Sequence, residues 1–154
     1  MKRLLLFAGL IGALLLSGPA LAATTTVGTH DDAKLGTILV DGKGMTLYRF
    51  MKDEKGKSTC YDQCAANWPP LTAEEPLTLP DGVEGTLTLI DRTDGTKQVA
   101  YNDIPLYLWV KDTKPGDTTG QDVGEVWYVV HPGEQFADDP DASPVASPES
   151  SPAA

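Results

Sequence analysis

Two cysteines, two histidines and a twice-occurring tyrosine–aromatic–aspartate string are the reactive or ligand-forming groups that stand out in this chain. Cys60 and Cys64 stand as Cys-x3-Cys. Two thiolates so placed could bind a soft ion such as Cu(I) if a histidine or methionine completed the set. The available ligands are His30 and His131, near the ends of the folding region, and Met45 and Met51, in or beside an expected core strand. The same thiols could instead close a disulfide. At helical i, i+4 spacing their Cα atoms lie roughly 6 Å apart, inside bridge geometry. An even cysteine count in an exported chain favours that bridge, which in the loop-entropy model contributes about 2 kcal/mol. The reading taken forward is a structural disulfide, with no metal and no cofactor.

The second candidate is Tyr48-Arg49-Phe50-Met51-Lys52-Asp53 and its near-duplicate Tyr107-Leu108-Trp109-Val110-Lys111-Asp112. A carboxylate can act as a general base, yet no acid–base partner recurs beside either Asp53 or Asp112. Both aspartates open turn sequences, where Asp accepts hydrogen bonds from the backbone two residues on. Side chains alternate faces along a strand. Tyr48 and Phe50 therefore share one face, and Tyr107 and Trp109 share the equivalent face of the second copy. Leu106, Leu108 and Val110 lie opposite, so the second strand should be covered on both sides, while Arg49 gives the first a wetter face. The rings could be core, with each hydroxyl finding a partner, or a platform for a ligand. No Gly-rich phosphate loop, zinc-protease helix, nucleophile elbow or EF-hand loop is present. No enzyme is expected.

Stepping from Tyr48 to Tyr107 spans roughly 59 residues, which points to two similar units folding together. Apolar runs are short and punctuated by Gly and Asp, as in strands joined by tight turns. Strands are expected at 36–40, 45–51, 86–90, 96–101, 104–110 and 126–130. Turns fall at Asp41-Gly42-Lys43-Gly44, Asp91-Arg92-Thr93-Asp94-Gly95 and Asn102-Asp103. A short helix is expected over 60–68, capped by Ser58 or Thr59 and ended by Pro69-Pro70. The fold class is mainly β: a small sandwich or barrel-like domain of two similar units, about 33–71 and 84–132, with one short helix.

The chain begins with Lys2-Arg3, an apolar run over 4–16 and Ala20-Leu21-Ala22, the pattern of a secretory signal peptide spanning 1–22. A two-unit domain over 23–137 follows. Residues 138–154 are rich in Pro, Ser and Ala and cannot bury enough apolar surface to order themselves. The formal net charge is −10, and loss of Lys2 and Arg3 makes it more negative. A nucleic-acid backbone or an anionic lipid surface would be repelled. No nucleic-acid partner and no stable membrane insertion after signal cleavage are expected.

The motif Tyr-x-(Phe/Trp/Tyr)-x-x-Asp, present at Tyr48–Phe50–Asp53 and Tyr107–Trp109–Asp112, resembles that of a secreted bacterial repeat and lipoprotein family of unknown function. Its flanking pattern is also here: Leu35-Gly36-Thr37-Ile38-Leu39-Val40-Asp41, Cys60-x3-Cys64-Ala65-x-x-Trp68-Pro69-Pro70-Leu71, and Gly116-Asp117-Thr118-Thr119-Gly120-Gln121. Many relatives carry a lipid-accepting cysteine that this chain lacks, so the resemblance implies free secretion, extracellular or periplasmic. Two readings of function stand. One is a non-enzymatic binding or interaction module with an unknown envelope or extracellular partner. The other is a redox or copper-handling protein using Cys60 and Cys64.

Overall fold

The computed structural model describes residues 26–136. The expected signal peptide over 1–22 and the tail over 138–154 lie outside the described residues. Seven short strands and one helix follow in order: β1 Val27–Asp32, β2 Gly36–Asp41, β3 Tyr48–Phe50, α1 Gln63–Asn67, β4 Leu87–Asp91, β5 Lys97–Tyr101, β6 Ile104–Pro105 and β7 Trp127–Val129. The domain is mainly β and built from two units, as the sequence implies. Its strands form three separate antiparallel sheets, β1–β2, β3–β7 and β4–β5–β6, and none closes into a barrel.

β1 is a strand the apolar pattern does not announce. Only Val27 of Val27–Asp32 is buried, and Thr29, His30 and Asp31 face solvent. Its partner β2 is buried from Ile38 to Asp41 and supplies the apolar surface for both. The hairpin between β5 and β6 turns at Asn102 (φ 47°) and Asp103 (φ 66°), left-handed at both central positions, as a primed turn requires.

The two motif strands are shorter than expected because their pairing partner changes at nearly every residue. Leu47 donates its amide to Leu39, Tyr48 to Tyr107, and Met51 to Val126. In the second unit Leu106 donates to Val99, Tyr107 to Tyr48, and Val110 to Asn67. No single ladder grows long, yet the two patterns correspond residue for residue. Tyr48 and Tyr107 exchange amide–carbonyl bonds at 2.9 Å in each direction, so they sit together where the two units meet. β3 of the first unit pairs with β7 of the second. Leu71 of the first unit reaches Leu106 of the second, as Val130 of the second reaches Leu47 of the first. The units thus share one interlaced core around a local two-fold relation.

Three local expectations are corrected. The helix covers only Gln63–Asn67 and begins at Asp62 without a side-chain cap. Ser58 and Thr59 do not cap it, because their hydroxyls are taken by Tyr107 and Asp53. Arg49 does not give its strand a wet face: it is buried and ion-paired with Glu134. Val110 is not covered but 50% exposed, since the chain turns away from the sheet at that point.

Candidate functional site

The motif tyrosines reach across to the opposite motif. The Tyr48 hydroxyl donates to Asp112 Oδ2 at 2.6 Å, and the Tyr107 hydroxyl donates to Asp53 Oδ2 at 2.7 Å. Both rings are wholly buried, and Asp53 and Asp112 are nearly so. The second carboxylate oxygens are occupied in matching fashion. Asp53 Oδ1 accepts from Thr59 N (2.7 Å) and Oγ1 (3.0 Å), and Asp112 Oδ1 from Thr119 N (3.0 Å) and Oγ1 (2.6 Å). The local turn cap expected of each aspartate is therefore replaced by a longer-range clamp. A buried carboxylate needs several donors to stay in place, and a loop threonine plus the other unit's tyrosine provide them.

Burial raises the pKa of both phenols far above its ordinary value, and the neighbouring carboxylate raises each further. Burial also raises the Asp53 carboxyl, against the lowering effect of the bonds from Tyr107 and Thr59. At neutral pH each tyrosine is a protonated donor aimed at the aspartate of the opposite motif.

Beside these pairs runs a column of four aromatic rings. Phe50 stacks on Trp127 at 4.3 Å, Trp127 on Trp68 at 3.9 Å, and Trp68 on Trp109 at 3.9 Å, with interplanar angles of 17°, 4° and 22°. Tyr48 meets Trp68 edge-on at 5.3 Å, and Tyr107 meets Trp127 edge-on at 5.2 Å. The two tyrosine contacts have the T-shaped geometry that the ring quadrupole favours, while the column itself is held by close parallel stacking. The two inner tryptophans are buried, while Phe50 and Trp109 at the ends are half-buried. The Lys111 ammonium lies 5.3 Å from the Trp109 ring centroid.

The surroundings of the two pairs differ. Gly120 donates its amide to the Tyr48 hydroxyl at 3.1 Å. A Cβ at Gly120 would lie 2.7 Å from the Tyr48 ring and 2.8 Å from Trp68, so only glycine allows that approach. Around Tyr107 the support is a side-chain network. The Ser58 hydroxyl lies 2.7 Å from the Tyr107 hydroxyl and accepts from buried Arg92 Nη1 at 2.7 Å. Arg92 also reaches Gln98 Oε1 and the Cys60 carbonyl, each at 2.8 Å, and packs over the Tyr61 ring.

Cys60 and Cys64 are bonded to each other, with Cα atoms 5.3 Å apart, and Cys60 is wholly buried. His30 is on exposed β1, and His131 follows β7 with Nδ1 2.9 Å from the Thr37 carbonyl oxygen. The structure thus gathers Tyr48, Asp53, Tyr107 and Asp112 into one core and places Phe50 and Trp109 at its two borders. Trp68, Trp127, Ser58 and Arg92 also belong to this centre, although the sequence motif gives them no part in it. Trp68 and Trp127 carried a legible signal, since they repeat at the same interval as Tyr48 and Tyr107. Arg92, inside a turn sequence, carried none.

The fold and its centre define a duplicated, mainly β repeat whose repeated tyrosine–aromatic–aspartate string joins its own halves. Residues 29–72 and 88–131 match the family model described as a secreted repeat of unknown function. These matches cover more than half of the chain, which therefore belongs to that secreted family. Comparison with curated proteins and with solved structures gives no match. Among the described residues no helix is long and apolar enough to cross a membrane.

Proposed function

We propose that the protein is a secreted, non-enzymatic module that binds an envelope or extracellular partner. The observation that supports this reading most is the internal use of the motif. Both tyrosines and both carboxylates, the groups with acid–base chemistry, are buried against one another rather than turned toward a substrate. What the motif offers outward is the turn after each ring: half-buried Trp109, exposed Val110 and Lys111 in one unit, and half-buried Phe50 with exposed Lys52 in the other. A half-buried aromatic beside an apolar side chain and a cation is the composition of a small contact surface.

The test is co-sedimentation of the secreted protein with purified envelope fractions, comparing wild type with a Val110→Asp variant of equal melting temperature. Saturable binding that the variant loses supports the reading. Absence of binding, together with stoichiometric Cu(I) uptake by the reduced protein that a Cys60→Ser/Cys64→Ser variant lacks, would favour the copper-handling alternative instead.

A further inference from the structure

The column of rings and the two tyrosine–carboxylate pairs form one connected object, and its connectivity suggests an activity separate from partner binding. We propose that Trp109, Trp68 and Trp127 carry an oxidising equivalent from the surface inward to Tyr48 and Tyr107, whose protons are taken by Asp112 and Asp53. The oxidant class is an oxygen- or nitrogen-centred one-electron radical arriving at the protein surface.

The geometry supports each step. Electron transfer weakens exponentially with separation, and every link here is a van der Waals contact between rings. Tryptophan and tyrosine are the most readily oxidised aromatic side chains, whereas phenylalanine is not. The column therefore has one oxidisable end, Trp109, which is half-buried and reachable, and one inert end, Phe50. The Lys111 ammonium beside Trp109 repels a positive charge on that ring, while the buried carboxylates attract it inward.

The radical takes one electron from Trp109 and becomes an anion, leaving a tryptophan radical cation that exchanges its vacancy with Trp68 and Trp127. Tyr48 fills the vacancy through Trp68 by giving one electron. Its O–H bond breaks, and the proton forms a new O–H bond on Asp112 Oδ2, 2.6 Å away. Tyr107 does the same through Trp127 toward Asp53 Oδ2 at 2.7 Å. The products are neutral tryptophan, one phenoxyl radical and one protonated carboxyl. A bare phenol in an apolar interior could not lose its proton this way, so the clamp that joins the repeats also makes the tyrosines oxidisable.

The experiment is pulse radiolysis of the full chain with azide radical, which oxidises tryptophan selectively, followed by transient absorption in light and heavy water. The expected result is a tryptophan radical that decays to phenoxyl at a rate independent of protein concentration and slowed in heavy water. Tyr48→Phe or Tyr107→Phe should each remove about half of the phenoxyl yield. Trp109→Phe, at a half-buried position, should lower the yield with the fold intact. Decay without phenoxyl in wild type, or phenoxyl retained in a folded Tyr48→Phe/Tyr107→Phe protein, would overturn the proposal. If that double variant does not fold, the wild-type kinetics and the Trp109→Phe yield decide. None of these readouts involves an envelope partner, so failure here leaves the binding reading standing.

Discussion

The two tyrosine–aspartate pairs have the same bond and different neighbours. Tyr48–Asp112 is backed by main chain, the Gly120 amide pressed against the ring. Tyr107–Asp53 is backed by side chains, Ser58 held by Arg92, which ties the pair to the disulfide loop through the Cys60 carbonyl. The clamp is the same in both units, and the flanking loops support it in two different ways. The half that leans on backbone is sensitive to shape, and the half that leans on Arg92 is sensitive to charge and hydrogen bonding.

Removing Arg92 should produce the largest effect. Arg92→Met leaves Ser58, Gln98 and the Cys60 carbonyl without a buried donor, at an expected cost of about 3 kcal/mol in denaturant unfolding. A loss below about 1 kcal/mol would mean that water replaces the guanidinium easily. On the other half, Gly120→Ala forces a methyl into two rings packed on each other, and about 2 kcal/mol should be lost. The two changes should leave distinct near-ultraviolet circular dichroism, since only the second displaces Tyr48 and Trp68.

Smaller and more diagnostic are the hydroxyl deletions. Tyr48→Phe and Tyr107→Phe each remove a donor from a buried carboxylate, at about 1–3 kcal/mol. Tyr48→Phe should be the costlier, because it also strands the Gly120 amide, whereas Ser58 keeps Arg92 after Tyr107→Phe. Protonation of Asp53, whose pKa is already raised by burial, can soften the second loss further. Equal costs in thermal melting would erase the distinction between the halves.

The gentlest test is alkaline pH. Both phenols have folded-state pKa values raised by burial and by a neighbouring carboxylate. The unfolded phenols lose their protons near pH 10 while the folded ones keep theirs, so stability falls as pH rises above about 10. Unfolding midpoints measured across that range should drop more steeply for wild type than for either Tyr→Phe variant. Parallel curves would mean the phenols ionise normally in the fold.

The duplicated string, the helix stop at Pro69-Pro70 and the Asn102-Asp103 turn were all readable because each is a local pattern with a local cause. What joins the repeats was not. Asp53 in sequence sits beside its own turn, and nothing local says that its oxygen belongs to Tyr107 of the other unit. β1 escaped notice because its partner β2 carries nearly all the apolar surface. Arg49 read as solvated because its ion-pair partner, Glu134, is far away in the chain. Pairings set by tertiary contact leave no periodicity behind.

Each motif tyrosine is bonded to the aspartate of the opposite motif, not to that of its own. Two double-mutant cycles test it on one scale: Tyr48→Phe with Asp112→Ala, and Tyr48→Phe with Asp53→Ala, read by denaturant unfolding. The expected coupling is about 1–3 kcal/mol for Tyr48 with Asp112, with near additivity for Tyr48 with Asp53. Strong coupling to Asp53 and none to Asp112 would contradict it, placing the clamp within each repeat instead of between them.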